Sequence, residues 1–199
     1  MNNITVYLVS YNELNIINNY DKYLKYLDKK ELSKINSYKS KYDQVRSLLG
    51  LLLIKAFTKK NNCNYIIKKN KYGKPYLLDN NFYFNISHSN EYVALGISNN
   101  DIGIDIEYDN KDDINYKEWT IKESFFKLIG KGLSMNNENY NIDYNNNVIS
   151  YNNNYYKFNN YNLNNYILSV SYKDKSKINI KRLNVIDLID LFNTIKPVN

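Results

Sequence analysis

The sequence is poor in the residues that form covalent crosslinks and metal clusters. It has one cysteine, Cys63, and one histidine, His88, among 199 residues. A lone cysteine excludes an intramolecular disulfide and any metal site built from several cysteines. The sequence shows no signal-peptide pattern and no long apolar run, and a strand pattern near its amino terminus argues against a cleaved leader. We therefore expect a soluble, cytoplasmic protein that makes no membrane contact.

The charge balance narrows the class of partner. Lysine and arginine outnumber aspartate and glutamate by 27 to 20, which gives a formal net charge of +7 at pH 7. A positive surface favours nucleic acid, phosphorylated cofactors or an acidic protein, and does not choose among them. The 22 tyrosines accompany many asparagines, lysines and isoleucines. This bias is typical of AT-rich genomes, so the tyrosines are weak evidence for base-stacking surfaces.

Alternation of apolar and polar residues predicts strands along the whole chain. The predicted strands cover residues 3–10, 65–68, 82–89, 92–98, 102–107, 148–150, 155–158, 166–172 and 178–183. The strand at 166–172 has a pattern similar to that at 92–98. Together with the helices, these strands predict an α+β fold in two comparable halves, residues 1–99 and 100–199.

Helical spacing of apolar residues predicts the remaining elements of both halves. One or two short helices with a basic exposed side are predicted within 20–42, and a final helix at 185–195. The strongest helix of the first half covers 43–59, with Asp43 as its N-cap, and is expected to form the centre of the core. Arg46 lies in this apolar helix, where an arginine either extends its charged end to solvent or holds an anion.

Two carboxylates share one face of the strand predicted at 102–107. Isoleucines alternate there with Gly103, Asp105 and Glu107, so the two carboxylates point to the same side, about 6.5–7 Å apart at ~3.3 Å per residue. That spacing suits a single hard cation such as Mg²⁺, bound directly or through its waters. Gly103 has no side chain to obstruct this face.

A helical pattern begins at Trp119 and brings a third carboxylate. Glu123 and Lys127 are four residues apart on one face, and hence neighbours. Gly130 is placed to end the helix. The opposite, apolar face consists of Ile121, Phe125, Leu128 and Ile129. The simpler interpretation is an amphipathic strand and helix with solvated charges, but three carboxylates and a lysine within so short a span favour a functional site.

Two further segments offer groups that could bind a phosphate. Gly73 and Pro75 predict a tight turn that presents Lys74, although an ordinary hairpin turn with an exposed lysine has the same pattern. The run Ser87-His88-Ser89 ends a strand and concentrates hydroxyl and imidazole donors. A single histidine is more often a structural hydrogen-bonding residue than a ligand.

These segments together resemble one enzyme family. GKP at 73–75, FNISHS at 84–89, GIDIE at 103–107 and WTIKESFFKLIGKGL at 119–133 occur in the order of the signature blocks of the 4′-phosphopantetheinyl transferases, surfactin-synthetase-activating type. VRSLLG at 45–50 resembles the helix that precedes these blocks. Four motifs in order make a chance resemblance improbable.

The resemblance implies a fold, a reaction and its participants. The family transfers the 4′-phosphopantetheine arm of coenzyme A, with Mg²⁺ or alternatively Mn²⁺, to a serine of an acyl, peptidyl or aryl carrier protein, and releases adenosine 3′,5′-bisphosphate. Members of this type fold as a pseudo-twofold pair of α+β halves with coenzyme A between them. We accordingly expect a monomer that binds coenzyme A and an apo carrier protein, and no nucleic acid.

The resemblance also assigns roles to individual residues. Asp105, Glu107 and Glu123 match metal-binding positions, and Glu123 also matches a carboxylate that helps to deprotonate the attacking serine. Lys127 matches a lysine near the reacting phosphates, so Asp105, Glu123 and Lys127 are the expected catalytic residues. The expected coenzyme A contacts are Lys74, Pro75, Ser87, His88 and Lys127, with Arg46, Lys34 and Lys41 at the 3′-phosphoadenosine end.

One departure from the family pattern leaves the general base open. Only eleven residues separate Glu107 from Trp119, whereas the family usually has a longer segment that in some members carries another glutamate. Glu123 or a water could take that role, one of Glu118, Asp112 and Asp113 could reach in, or activity could be reduced. The alternatives to an active transferase are a non-catalytic coenzyme-A-binding relative and a basic nucleic-acid-binding protein.

Overall fold

The strands of the chain form two main sheets, and the helices pack on them. The computed structural model describes residues 2–12, 15–78, 82–112 and 114–197. The helices are α1 Ile16–Leu24, α2 Lys29–Asn36, α3 Lys41–Lys60, α4 Tyr116–Ile129 and α5 Val185–Asn193, with a 3₁₀ helix at Gly132–Asn137. The strands are β1 Asn2–Ser10, β2 Ile67–Lys69, β3 Pro75–Leu77, β4 Tyr83–Ser89, β5 Tyr92–Ser98, β6 Ile102–Tyr108, β7 Tyr140–Asp143, β8 Val148–Tyr151, β9 Asn154–Leu163, β10 Tyr166–Tyr172 and β11 Ser176–Arg182. The predicted α+β class is confirmed.

The first sheet combines strands from both ends of the chain. Its order is β11-β1-β5-β4, with β1 parallel to β11 and antiparallel to β5. The second sheet is antiparallel throughout, in the order β6-β10-β9-β8-β7. β2 and β3 form a small separate hairpin. The pseudo-twofold relation and the division at residue 99 stay predictions; the sheet order shows that β11 lies beside β1.

Three groups of buried apolar side chains hold these layers together. The largest packs α1, α3 and α5 on the first sheet, and most of α3 from Val45 to Thr58 is buried, which confirms that helix as the centre of the core. A second group, which includes Val6, Ile104 and Leu168, fills the space between the two sheets. A third lies under α4 against β8 and β9. Each sheet therefore carries one long helix.

Some of the predicted boundaries are wrong. The N-cap of α3 is Ser40 and not Asp43, because the helix begins two residues earlier; Asp43 lies in the first turn and pairs with Arg46. The strand predicted at 65–68 occupies 67–69, and the fragment predicted at 155–158 belongs to a strand that continues to Leu163. β7 was not expected, since its sequence is dominated by Asn and Tyr without a clear alternation. No helix in the described ranges is long and apolar enough to cross a membrane.

Candidate active site

The two sheets meet at β4 and β6, where side chains replace a backbone ladder. The strands run in the same direction, and the side chains of Asn85, Ser87 and Ser89 point from β4 at the free edge of β6. Their oxygens accept hydrogen bonds from the backbone N–H groups of Ile104 at 2.9 Å, Ile106 at 3.2 Å and Tyr108 at 3.0 Å, respectively. We call these three contacts the β4–β6 zipper. They satisfy edge N–H groups that would otherwise lie unpaired between the sheets.

The same zipper holds the predicted carboxylates of β6. The Ser87 hydroxyl donates to Asp105 Oδ1 at 2.8 Å, and the Ser89 hydroxyl donates to Glu107 Oε2 at 2.7 Å. Lys127 reaches across from α4, and its Nζ donates to Asp105 Oδ1 at 2.6 Å and to Ser87 Oγ at 3.0 Å. Period-two alternation thus places both carboxylates on one face of β6, as predicted.

Helix α4 packs unusually close to β6 because β6 carries a glycine. A Cβ added to Gly103 would lie 1.9 Å from the carbonyl oxygen of Ser124 and 2.4 Å from the backbone nitrogen of Leu128. Gly103 was expected to leave the carboxylate face open, but α4 occupies the space beside it. This close approach brings Lys127 into hydrogen-bond contact with Asp105.

Burial and mutual repulsion act on the remaining carboxylates. Burial raises the pKa of Glu107, as does the charge of Asp105, while the hydrogen bond from Ser89 lowers it. The pKa of Glu123 is also raised, first by burial and then by Asp105, with Lys127 opposing the shift. A carboxyl group with a raised pKa can accept a proton more readily near neutral pH than an ordinary glutamate can. Glu123 therefore has the electrostatic environment of a base.

The carboxylates fit a divalent cation chemically but do not form a ready-made cluster of three ligands. Asp105 is 3% exposed, and its Oδ2 is buried without a hydrogen-bond partner. Such an oxygen costs free energy unless a ligand or cation satisfies it. Within the described ranges, no three His, Cys, Asp or Glu side chains converge in a metal-binding arrangement. A cation bound here would therefore be held by fewer than three of these carboxylates and would complete its coordination with waters or substrate oxygens.

A cationic cavity lies between α2, α3 and β4, the strand whose serines bond to the carboxylates of β6. Its volume is about 320 Å³. Four of the predicted coenzyme A contacts line it, namely Lys34, Arg46, Pro75 and His88. Apolar side chains complete the wall, including Leu51, Ile54 and Phe84. The structure thus gathers residues from positions 34 to 88 around one space that combines cations with an apolar floor.

Arg46 is only partly used by the protein. Its terminal nitrogens donate to Asp43 Oδ1 and, at 3.0 Å, to the carbonyl oxygen of Asn90. Among the described residues its Nε has no hydrogen-bond partner, and the side chain lines the cavity. Of the two alternatives for Arg46, the side chain does not simply extend to solvent, because it is 18% exposed and held on one side.

His88 lines the cavity and follows Ser87, which is bonded to Asp105. Partial burial of the imidazole lowers the pKa of His88, and the charges of Arg46 and Lys127 lower it further. The imidazole is therefore neutral at pH 7 and remains open to solvent on one side. An anion placed between these cations would reverse the shift, since it favours the charged imidazolium.

Lys74, Lys41 and Ser87 do not line the cavity. Lys74 was expected to be presented by the turn, but its side chain is 14% exposed and its Nζ donates to Asp101 and to the backbone oxygens of Leu128 and Ile102. Burial lowers the pKa of Lys74, although Asp101 opposes the shift. Lys41 Nζ lies 3.2 Å from the centre of the Tyr20 ring. Ser87 is buried in the β4–β6 zipper.

The alternative bases after Glu107 are occupied locally. Asp112 accepts from the backbone N–H of Ile114 and from the Tyr116 hydroxyl, and the first of these contacts lowers its pKa. Glu118 pairs with Lys122 one turn further along α4. Asp113 lies outside the described residues. Among the described candidates, Glu123 alone combines a raised pKa with proximity to Asp105 and Lys127.

The role of two residues in joining the sheets escaped the sequence analysis. Asn85 was seen only as part of the polar side of a strand and Ser89 as a possible phosphate donor, although their hydrogen bonds join the two sheets. The signal that could have found them is small hydrogen-bonding side chains at three alternate positions, 85, 87 and 89. Such side chains on one face of an edge strand can serve as acceptors for a neighbouring backbone.

Comparison with known proteins gives one family-model match and several relatives. A model described as 4′-phosphopantetheinyl transferase, N-terminal, matches residues 16–100. The 4′-phosphopantetheinyl transferase gsp of Aneurinibacillus migulanus is 38% identical over 133 aligned positions, and the match covers 52% of this chain and 56% of the relative. The 4′-phosphopantetheinyl transferases ffp of Bacillus subtilis and Sfp of its strain 168 are 28% and 26% identical over 153 aligned positions, and each match covers 61% of this chain and 68% of the relative. The match to gsp thus spans little more than half of that protein's length.

Proposed function

We propose that the chain is a 4′-phosphopantetheinyl transferase, like the proteins it resembles, and that it transfers the 4′-phosphopantetheine group of coenzyme A to a serine of an apo acyl, peptidyl or aryl carrier protein. The products are the holo carrier protein and adenosine 3′,5′-bisphosphate. One observation carries the proposal. The buried Asp105, which has one oxygen unsatisfied among the described residues, is bonded to Lys127 and to Ser87 of β4, and the same strand lines a cavity that contains Arg46 and His88.

The reaction sets two requirements that these residues meet. The serine oxygen attacks the β-phosphorus of coenzyme A, the bond from that phosphorus to the oxygen shared with the α-phosphate breaks, and the serine proton must leave. Negative charge grows on the pyrophosphate, so fixed positive groups lower the barrier. Lys127, which is bonded to Asp105, and His88, which lines the cavity, would supply such donors. Mg²⁺, or Mn²⁺ in its place, supplies further positive charge when it is bound.

Asp105 would hold that cation through its free Oδ2, with Glu107 and Glu123 as the other carboxylates. Oxygen ligands of this kind are the ones that Mg²⁺ prefers. The chain supplies the proton acceptor too: Glu123, whose pKa is raised by burial, removes the serine proton directly or through a water. The short segment after Glu107 needs no additional base in this scheme.

The cavity is proposed as the site of the 3′-phosphoadenosine end of coenzyme A. Lys34, Arg46 and His88 would contact its phosphates, and the apolar floor suits the flat face of an adenine. The excess of positive charge would also attract an acidic carrier protein and guide its approach. We propose that the protein acts as a cytoplasmic monomer and binds neither nucleic acid nor membrane.

The direct test is the intact mass of an apo carrier protein after incubation with this protein, coenzyme A and Mg²⁺. Transfer adds one phosphopantetheine group, about 340 Da, and Asp105→Ala should abolish the gain because it removes the proposed cation ligand. Asp109→Ala is the matched control, since Asp109 is a carboxylate on the same segment that pairs with Lys111. It should leave transfer unchanged.

The other outcomes separate the alternatives. Coenzyme A binding without transfer to any of several carriers would support the non-catalytic relative. Neither binding nor transfer, together with salt-dependent binding to nucleic acid, would support the nucleic-acid-binding protein. Transfer by Asp105→Ala at the wild-type rate would contradict the role given to Asp105.

A further inference from the structure

The three contacts of the β4–β6 zipper are not equivalent. Asn85 accepts from the backbone of β6 and contacts no β6 carboxylate, whereas Ser87 and Ser89 each accept from the backbone and donate to a carboxylate. Ser87 is also bonded to Lys127. Ser89 therefore offers the simplest connection between the packing of the sheets and a single carboxylate, Glu107.

The hydroxyl of Ser89 has a defined orientation. A serine hydroxyl carries one hydrogen and two acceptor lone pairs. The backbone N–H of Tyr108 occupies a lone pair at 3.0 Å, which leaves the hydrogen to point at Glu107 Oε2 at 2.7 Å. Two hydrogen bonds through one oxygen polarise each other, and each strengthens the other. The donor is fixed to the backbone of β6 one residue beyond the carboxylate that it orients.

Glu107 needs such a partner more than Asp105 does. Asp105 is held by both Ser87 and Lys127. Glu107 lies at the end of β6, where burial decreases, and a glutamate has one more rotatable bond than an aspartate. Without a fixed donor its carboxylate would populate several rotamers, and ordering it on ligand binding would cost free energy.

We propose that Ser89 is a positioning residue for Glu107: its hydroxyl, held by the backbone of Tyr108, fixes the Glu107 carboxylate for a divalent cation shared with Asp105. This inference rests on the proposed function for the cation, but it concerns a residue to which neither the family motifs nor the comparisons give a role. Residues that orient a metal ligand typically change metal affinity by 10- to 100-fold when they are removed.

The test is Mn²⁺ affinity, measured by electron paramagnetic resonance on the full chain with coenzyme A present. Ser89→Ala should weaken Mn²⁺ binding by about tenfold or more, and Ser89→Thr, which keeps the hydroxyl, should restore it. Asn85→Ala is the zipper control: it removes a contact between the sheets without touching a carboxylate, so it should lower the melting temperature and leave Mn²⁺ affinity unchanged. Ser10→Ala removes a serine–glutamate hydrogen bond elsewhere, to Glu91, and should leave Mn²⁺ affinity unchanged.

A double-mutant cycle with Glu107→Gln shows whether Ser89 acts through Glu107. In that background Ser89→Ala should produce no further loss of Mn²⁺ affinity. An equal further loss, or a wild-type affinity in Ser89→Ala, would overturn the inference and leave the proposed function intact. Failure of the unmutated protein to bind Mn²⁺ with coenzyme A would overturn both. If Ser89→Ala does not fold, Ser89→Cys, which keeps the shape but is a weak donor, replaces it with the same expected result.

Discussion

At the scale of single residues, cations that look alike in the sequence have different environments. Arg46 keeps one buried donor free beside the cavity, Lys74 uses its ammonium group on Asp101 and on the carbonyl of Leu128, and Lys41 lies over the ring of Tyr20. A cation near the carboxyl end of a helix stabilises the unpaired carbonyls there. Lys74 thus has a structural partner at the end of α4, whereas Arg46 is left with binding capacity.

Arg46→Met should weaken coenzyme A binding by roughly ten- to a hundredfold, because a charge-assisted hydrogen bond to phosphate is lost. If Arg46 holds the 3′-phosphate, dephospho-coenzyme A, which lacks that group, should bind both proteins equally. Isothermal titration calorimetry measures all four affinities. Lys41→Met is the control and should change coenzyme A affinity less than Arg46→Met does; an equal loss in the two variants would indicate a general effect of surface charge.

His88 predicts a pH dependence of coenzyme A binding. In the free protein its pKa lies below the ordinary 6.5, so the imidazole is neutral at pH 7. A phosphate beside it raises that pKa, and linkage then requires that binding takes up a proton and strengthens as the pH falls from about 8 to about 6. Calorimetry in buffers of different ionisation enthalpy measures the uptake. His88→Gln should reduce the proton uptake to the part that comes from the phosphates of coenzyme A itself. An unchanged proton uptake would show that the phosphates bind away from His88.

At the scale of elements, the site depends on how closely α4 approaches β6. The helix presents Glu123 and Lys127 one turn apart, as its sequence predicts. Whether these side chains approach Asp105 depends on how closely the helix packs on β6. Gly103 allows the helix backbone to contact the strand backbone, and this contact sets the reach of Lys127 to Asp105. The β4–β6 zipper fixes the other side of the same strand.

Gly103→Ala should destabilise the protein by about 3 kcal/mol or more, because its Cβ would overlap the backbone of α4, which cannot move aside cheaply. Denaturant unfolding followed by circular dichroism gives the free energy of unfolding. The matched control is Gly50→Ala in α3, where the added Cβ meets only the flexible end of Ile86 at 3.3 Å. It should change stability by no more than about 1 kcal/mol. Similar losses in the two variants would show that α4 can move away from β6.

At the scale of the whole molecule, the end of the chain completes the core of its beginning. β11 pairs in parallel with β1, from Asn2 with Ser176 to Leu8 with Arg182. Leu188, Leu191 and Phe192 of α5 are buried in the core around α3. The first sheet and its helices therefore depend on residues that lie beyond the second sheet in sequence.

A chain ending at Lys175 should not fold cooperatively, although it keeps every predicted site residue. It loses β11, which covers the edge of β1, and the three buried side chains of α5, so that apolar surface and unpaired strand edge become exposed. Soluble expression and thermal unfolding by circular dichroism are the measurements. A chain ending at Lys196 keeps both elements and should melt like the full protein. Cooperative melting of the shorter chain would show that the first sheet is stable without β11 and α5.

The parts of the site that were predicted from the sequence are those set by local backbone geometry. Alternation along β6 puts Asp105 and Glu107 on one face, and a spacing of four puts Lys127 next to Glu123, whatever lies around them. The central helix and most strands followed from the same periodicities. Where periodicity was absent, as in β7, or where competing N-cap residues lay close together, as at Ser40 and Asp43, the boundaries were missed.

The sequence by itself determined the elements, the faces of β6 and α4 that carry charge, and the resemblance that names the family. Only the tertiary structure decided which of those charged side chains are paired within the protein and which line the cavity. Lys74 contacts Leu128, which is 54 residues further along the chain, and Ser87 contacts Asp105, which is 18 residues further. β1, near one end of the sequence, pairs with β11, near the other. No local periodicity specifies such contacts, because they depend on how the sheets are ordered and how closely one backbone can approach another.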